Sequence, residues 1–335
     1  MTVLLEVEQL QVTFKTEKGN VAPVENVDFC LNEEETIAIV GESGSGKSVT
    51  TLSIMGLLDK TGEVSRGAIR FKGKELTKLP TRELNRIRGN EISMIFQEPM
   101  SALNPVLTIG KQLTEQIRKH KKLSRGEARE ESVVMLRKVG ISRAESVMKE
   151  FPFSLSGGML QRVMIAMAMS CSPQILIADE PTTALDVTIQ AQILQLMKEL
   201  KQELGTSILL ITHDMNVVAE MADKVIVMYG GEVVEEADVF RLFEHHLHPY
   251  TQGLLSCIPR IGQNRSTRLK AIPGTVPLPQ HMPTGCRFQD RCPHVTSRCR
   301  EEHPPLLEHG QGHRVRCWLA GQEKEEAKSA HESSS

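Results

Sequence analysis

Short apolar runs, broken by one long helical stretch, organise most of the chain. Leu4-Leu5-Glu6-Val7, Gln11-Val12-Thr13-Phe14 and Val24 to Leu31 alternate apolar and polar positions and predict strands of a mostly antiparallel layer. Thr36-Ile37-Ala38-Ile39-Val40 is apolar and largely β-branched, which predicts a buried strand, and Ser48 to Leu58 then carries apolar residues at helical spacing. Gly67 to Lys74 predicts a hairpin strand, and Glu91 to Phe96 a second buried strand, stopped at Pro99. From about 100 to 171 the period becomes helical. Ser124-x-x-Glu127 forms a capping box opening an amphipathic helix through Val139, and Gly140 is placed to end it. Ile175 to Ala178 predicts a third buried strand. A helix from Val187 to Leu204 follows, with Gly205 as its C-cap, and then a strand over Ser207 to Thr212. The last strand, Lys224 to Tyr229, turns at Gly230-Gly231 into Glu232-Val233-Val234.

Periodicity fades at about residue 259, where Pro, Gly, His and Cys take over. The expected organisation is an α/β domain over 1–258 with a helical subdomain at about 100–171. A small irregular Cys-containing domain over 259–320 and a charged, Ser-rich, disordered tail over 321–335 complete it. Hydrophobic residues make up 40% of the chain, enough for an ordinary core. The net charge of −2 leaves no electrostatic footprint for nucleic acid. No run approaches the ~20 apolar residues of a membrane span. The N-terminus lacks a basic region before an apolar run, so a secretory leader is not expected and the cytoplasm is.

The chemistry begins at Gly41-Glu42-Ser43-Gly44-Ser45-Gly46-Lys47-Ser48, followed by Val49. It reads G-x-x-x-x-G-K-S between a predicted strand and a predicted helix, the context a phosphate-binding loop needs. Glycines let successive N–H groups converge on one anion, and the helix N-terminus adds unpaired donors. Lys47 can neutralise β- and γ-phosphate charge, and the Ser48 hydroxyl can ligate Mg²⁺. Asp179 and Glu180 end a buried strand. The first suits Mg²⁺, and the second suits orienting and polarising an attacking water. His213 ends another strand, at the edge where open α/β sheets bind ligands. Ser156, Gly157 and Gly158 precede an apolar helix and make a second candidate phosphate site, although taken alone the motif reads better as a plain capped core helix. Phe14 is noticeable because aromatics are only 4% of the chain. It suits a base-stacking residue or an edge-strand core aromatic.

Four of the seven cysteines, Cys286, Cys292, Cys299 and Cys317, lie in the irregular segment, and a reducing compartment favours metal over disulfide there. Zinc takes four thiolates, but no pair here has the C-x₂₋₄-C spacing of structural zinc sites. Longer, uneven gaps suit an iron–sulfur cluster, and four unmetallated cysteines in a docking tail remain open. Cys30, Cys171 and Cys257 are scattered and read as small buried or surface residues.

The phosphate loop, Gln97, Leu155-Ser156-Gly157-Gly158, Ile175 to Pro181, Ala184-Leu185-Asp186 and His213 occur in an order and spacing that resemble the ATP-binding cassette (ABC) ATPases over about residues 4–255. His248-Pro249-Tyr250-Thr251, Gly285-Cys286-Arg287-Phe288 and Arg291-Cys292-Pro293 further resemble the oligopeptide/dipeptide branch of bacterial importers. The resemblance implies an α/β P-loop NTPase cassette: a RecA-like core, an antiparallel β layer and a helical subdomain, plus the small Cys-containing domain. It implies that Phe14 stacks on adenine and that Gly41 to Ser48 wrap the phosphates. Gln97 then senses γ-phosphate and Mg²⁺ from a loop facing a membrane subunit. Glu180 is the general base, His213 holds the catalytic geometry, and Asp186 communicates across a dimer interface.

In the resembling fold the phosphate loop and the LSGG turn lie on opposite sides of one cassette. Ser156, Gly157 and Gly158 therefore reach the nucleotide of a second ATPase subunit, expected as a paralogue in a head-to-tail dimer. Two integral membrane permease subunits and an extracytoplasmic substrate-binding protein complete the expected system, with this chain peripheral on the cytoplasmic face of the membrane. The implied function is hydrolysis of ATP with Mg²⁺ to drive peptide uptake. A nickel or other small-solute importer, and a soluble non-transport ATPase, are the alternatives. The branch also implies a [4Fe–4S] cluster on the four cysteines in place of zinc. One departure stands out: Leu160 replaces an arginine of the branch pattern, which is expected to remove a surface charge beside the signature helix.

Overall fold

The computed structural model describes residues 2–17, 19–183, 185–258, 272–310 and 312–320. In chain order the strands are β1 (Val3–Thr16), β2 (Gly19–Asn32), β3 (Thr36–Val40), β4 (Gly62–Phe71), β5 (Lys74–Glu75), β6 (Ile92–Ile95), β7 (Ile175–Asp179), β8 (Ser207–Thr212), β9 (Lys224–Tyr229), β10 (Glu232–Asp238), β11 (Leu307–Glu308) and β12 (Arg314–Val315). The helices are α1 (Lys47–Ile54), α2 (Thr81–Ile87), α3 (Pro99–Ala102), α4 (Ile109–His120), α5 (Arg125–Lys138), α6 (Ala144–Val147), α7 (Gly157–Met169), α8 (Val187–Leu204), α9 (Met215–Met221), α10 (Val239–Glu244), α11 (Pro249–Ser256) and α12 (Ser297–Glu301).

The chain divides into two compact units. The first comprises Met1–Leu5, Leu31–Thr36 and Lys72–Ile211. Its sheet is parallel: β6 pairs with β7 from Ile92↔Ile175 to Ile95↔Ala178, and β7 pairs with β8 from Ile175↔Ser207 to Asp179↔Ile211. All five residues of β7 are buried, as an apolar run flanked by two parallel neighbours requires. The helical block packs α4 on α5 and sets α7 against β6. Ser124 closes the expected capping box of α5, and α8 stops at Gly205 in the left-handed conformation.

The second unit comprises Glu6–Cys30, Ile37–Phe71 and Thr212–Ser335. Here β3 runs parallel to β9, and β9 turns through Gly230-Gly231 into antiparallel β10. The short strand β12 then adds to the far side of β10, with Glu235 opposite Val315 and Glu236 opposite Arg314. A separate sheet holds β2, β1 and β4 in that order.

Several boundaries differ from the sequence pattern. The first two apolar runs are one continuous strand, β1, bent where Gln9 takes a left-handed φ of 44° and its N–H donates to Asp28 Oδ1 at 2.7 Å. Helix α1 ends at Ile54, short of Leu58, because Gly56 has φ 59°. Strand β4 begins at Gly62, ahead of Gly67. Strand β10 continues past Val234 to Asp238, although Glu235 and Glu236 follow. The acids of β10 are buried: Glu232, Glu235 and Glu236 are no more than 2% exposed. Each has partners in the C-terminal segment. His303 Nε2 lies 2.8 Å from Glu232, His313 Nε2 lies 2.8 Å from Glu235, and Arg314 pairs with Glu236. Burial pushes the Glu232 and Glu235 carboxyls up. Contacts with His303, Arg287 and Arg316 on one, and with His313 and the Leu247 and His248 amides on the other, outweigh it and leave both below the usual value. The expected tail over 321–335 lies outside the described residues.

Candidate functional site

In the second unit, the phosphate loop runs from the end of β3 into α1. Gly41 follows Val40 at a point where a Cβ would lie 2.2 Å from the Met228 carbonyl oxygen of β9. Gly46 has φ 100°, and its Cβ would meet the Pro23 carbonyl at 2.8 Å, so neither position admits a side chain. Helix α1 starts at Lys47 with no side-chain cap, which leaves its first amides to the loop's concave side. Lys47 is 7% exposed, and its Nζ donates to the carbonyls of Gly41 at 2.7 Å and Glu42 at 2.9 Å. Ser45 is buried, whereas Ser43, Gly44 and Ser48 are exposed and Val49 is half-buried. The loop thus buries a lysine and leaves a serine exposed, the two residues its sequence pattern requires.

Sequence reasoning missed what stands behind this loop. The chain has only two tyrosines, and both are fully buried there. Tyr229 packs edge-on to Tyr250 at 4.8 Å and to Phe288 at 5.1 Å. Tyr250 Oη accepts the Glu42 N–H at 2.8 Å, and burial pushes both phenols above their ordinary range. The Glu42 carboxylate takes a two-pronged contact from Arg291, at 3.0 and 3.1 Å. The rarity of aromatics and their position beside the Cys motifs were the only signals available in the sequence.

In the first unit, the acids end β7. Asp179 is 6% exposed and in register with Ile211. Glu180 has φ 47°, a left-handed conformation that a glutamate adopts only when its surroundings hold it there. Its N–H donates to the Ile211 carbonyl at 2.9 Å, and its Oε2 accepts from Gln97 Nε2 at 3.0 Å and Thr183 Oγ1 at 2.8 Å. Gln97 and Glu180 are therefore together, and Thr183 joins them as a group the sequence did not single out. Ser156 caps α7 by accepting the Met159 N–H at 3.4 Å, and nothing approaches the Gly157 Cβ position within 4 Å. Asp186 caps α8 through the Ile189 N–H at 2.9 Å, while Ala184 lies outside the described residues. Gln161 Nε2 donates to the Pro181 carbonyl at 2.6 Å and ties the signature helix to the Glu180 turn. Leu160 is only 5% exposed, so the expected loss of a surface charge does not apply: this position packs an apolar side chain inward.

The remaining candidates are placed singly. His213 follows β8 and is exposed. Phe14 is half-buried, its ring 2.7 Å from where a Gly62 Cβ would stand. A cavity of about 720 Å³ in the helical block is lined by Thr108, Arg118, Arg125 and neighbours and includes none of the nucleotide candidates.

Cys286, Cys292, Cys299 and Cys317 face one small cavity with His248, Phe288 and Trp318. Burial pushes the Cys286 thiol up to about 12 and raises Cys292 and Cys317 as well, and Cys299 adds to the effect on all three. Among the described residues no three His, Cys, Asp or Glu side chains are set to hold a single metal ion. The cavity wall carries four sulfurs together with His248 and His294 and no carboxylate, donors of the type that thiolate-bound metals use. All seven cysteines are free; Cys171 is buried, Cys257 is exposed and Cys30 is intermediate.

Comparison with known proteins matches these features. Residues 24–183 match the model described as ABC transporter, and residues 234–299 match the oligopeptide/dipeptide transporter, C-terminal region. The chain is 56% identical over 324 residues to the oligopeptide transport ATP-binding protein AppD of Bacillus subtilis, covering 96% of this chain and 98% of that protein. It is 49% identical over 316 residues to the oligopeptide transport ATP-binding protein OppD of Salmonella typhimurium, 94% of this chain and 93% of that one. The dipeptide transport ATP-binding protein DppD of B. subtilis is 49% identical over 328 residues, 98% of each chain. Among solved structures, a dimeric ATP-binding cassette bound to ADP and Pi in a post-hydrolysis state aligns with a TM-score of 0.64 at 29% identity. It covers 70% of this chain and 99% of its own. No described helix is long and apolar enough to cross a membrane. A strand–loop–helix phosphate cradle, a strained acid beside a glutamine and relatives aligned almost end to end place this chain in the ABC transporter ATPase family, with an oligopeptide/dipeptide-type C-terminal region.

Proposed function

We propose that this chain is the ATP-hydrolysing subunit of a peptide importer. The near full-length match to an oligopeptide transport ATP-binding protein carries the reading. Local geometry supports it: Glu180 is held in a left-handed conformation with Gln97 and Thr183 on one carboxylate oxygen. The phosphate loop and Lys47 hold the triphosphate. Ser48, Asp179 and Gln97 hold Mg²⁺, which supplies charge neutralisation on the phosphates. Glu180 takes the proton of the attacking water, His213 orients the γ-phosphate, and Phe14 stacks on adenine. The open turn at Ser156, Gly157 and Gly158 serves the nucleotide of a second ATPase subunit, and Asp186 relays between the two. The pair works beneath two permease subunits on the cytoplasmic face of the membrane, with peptide delivered by a substrate-binding protein.

The same reading gives Cys286, Cys292, Cys299 and Cys317 a [4Fe–4S] cluster. Four sulfurs lining one cavity support this reading. Bound, it supplies a covalent cross-link that stabilises the segment. Anaerobic protein is expected to be brown, to contain iron and sulfide, and to bleach with dithionite; stoichiometric zinc without iron overturns the cluster.

The test of the main reading is Glu180→Gln, which keeps shape and removes the base. Hydrolysis should fall by ~10²-fold or more while nucleotide binding survives. Hydrolysis at the parental rate removes Glu180 from the role.

A further inference from the structure

Two arginines leave the wall of the thiol cavity in the direction of the phosphate loop, and both belong to the second unit. Arg287 follows Cys286, and Arg291 precedes Cys292. The Arg291 side chain is 5% exposed. Its Nη1 donates to Glu42 Oε2 at 3.0 Å and its Nη2 to Glu42 Oε1 at 3.1 Å, while Nε donates to the Pro273 carbonyl at 2.7 Å. The guanidinium also sits 5.7 Å from the Tyr229 ring centroid. Glu42, the second residue of the loop, is gripped three ways. Arg291 takes its carboxylate, Tyr250 its N–H, and Lys47 its carbonyl at 2.9 Å.

Arg287 braces a second point. It donates to the Gly230 carbonyl and pairs with Glu25 and, at 3.3 Å, with Glu232. The adjoining Gly231 N–H donates to the Ser45 carbonyl at 3.1 Å, and the Gly231 carbonyl accepts from the Glu25 N–H at 2.9 Å. The loop is therefore held at Glu42 and at Ser45 by contacts that trace back to residues adjoining Cys286 and Cys292.

A carboxylate in a loop that gathers phosphate repels the ligand unless it is neutralised. Partial burial strengthens that repulsion. Arg291 neutralises Glu42 and fixes the loop's first turn with the planar fork that lysine lacks. We propose that Arg291, seconded by Arg287, is a positioning residue for nucleotide binding. Acting through Glu42, it couples the order of the thiol-cavity segment to the anion-binding shape of the phosphate loop. The inference rests on the loop being the ATP site. Coupling of this kind is reciprocal: what orders one site strengthens the other.

The full chain and its Arg291→Met, Arg291→Lys, Glu42→Gln and Arg291→Met/Glu42→Gln variants are titrated with MgADP. Amide hydrogen exchange over 286–292 is followed with and without nucleotide. Arg291→Met is expected to weaken MgADP binding by about tenfold or more, and Glu42→Gln added to it should restore most of the loss. Arg291→Lys should bind between the two, since it keeps charge without the fork. Saturating MgADP should slow exchange over 286–292 by about fivefold or more in the parent and much less in Arg291→Met. If Arg291→Met fails to fold, the parental exchange measurement and Arg291→Lys still decide. Arg291→Met that melts earlier yet binds MgADP with parental affinity makes the residue merely structural and overturns the proposal. So do losses that multiply in the double variant, or exchange that nucleotide leaves unchanged. A parental chain that binds no MgADP instead overturns the ATP-site reading itself.

Discussion

Two helix N-termini are proposed to meet phosphate, and they are built differently. At α1 the entry residue is Gly46, left-handed and uncapped, and the loop before it is buttressed from behind by Tyr250, Arg291 and the Gly230-Gly231 turn. At α7 the entry residue is Ser156, which caps its own helix at 3.4 Å, and Gly157 faces open space. The first is enclosed by its own chain and its glycines are sterically obligatory. The second is self-capped; Gly157 meets no neighbour in the described chain, whereas a Cβ on Gly158 would press on Ile189 at 3.1 Å. The contrast suits the proposed division of labour. One terminus holds this chain's own nucleotide and needs rigidity. The other serves a nucleotide brought by a second subunit and needs access.

The sharpest way to break the comparison is to disable each terminus in turn. Lys47→Ala should weaken this chain's own MgATP binding by about 10²-fold, because a buried cation matched to phosphate is lost. Ser156→Arg should leave that binding within about twofold, since it adds bulk at an exposed turn, yet hydrolysis at the partner's site should be abolished. Equal loss of own-site binding in both variants, measured by equilibrium nucleotide titration, would remove the distinction.

A smaller effect separates the glycines. Gly46→Ala places a Cβ against the Pro23 carbonyl at an unfavourable φ and should cost about 3 kcal/mol of stability. Gly157→Ala meets nothing and should stay within about 0.5 kcal/mol, although hydrolysis should fall. Urea unfolding of the two variants measures the first pair of numbers directly.

The bracing behind the first terminus should also be sensitive to acid. Glu235 is buried and paired with His313, and its carboxyl is held below the usual value. A depressed carboxylate contributes stability that is complete above the unfolded value of about 4.3 and is lost as pH falls through the still lower folded value. Glu235→Gln should lower stability at pH 7 by about 2 kcal/mol and flatten the decline below pH 4.3. A parental slope in the Gln variant would show that other groups govern the acid limb.

Some features were legible in the residues alone because local rules decide them. A run such as Ile175-Leu176-Ile177-Ala178 has few alternatives to a buried strand. Ser124 with Glu127 and Gly205 after Leu204 carry their own capping geometry, and G-x-x-x-x-G-K-S works through its own backbone. Gln97 and Glu180 lie far apart in the chain, and only the resemblance to a family linked their roles; the structure adds the hydrogen bond that joins them.

What the sequence could not decide depends on partners distant in the chain. Glu232, Glu235 and Glu236 look like solvent-facing residues, and only the return of His303, His313 and Arg314 makes their burial tolerable. Leu160 seemed a surface substitution until packing put it inside. Arg291 and Glu42 are 249 residues apart, and neither charge announces the other. Hydrophobic period and capping are written locally, so the sequence by itself settled the elements and the phosphate loop. Charge neutralisation in a buried place requires two distant segments to meet, so the tertiary structure alone decided what holds that loop.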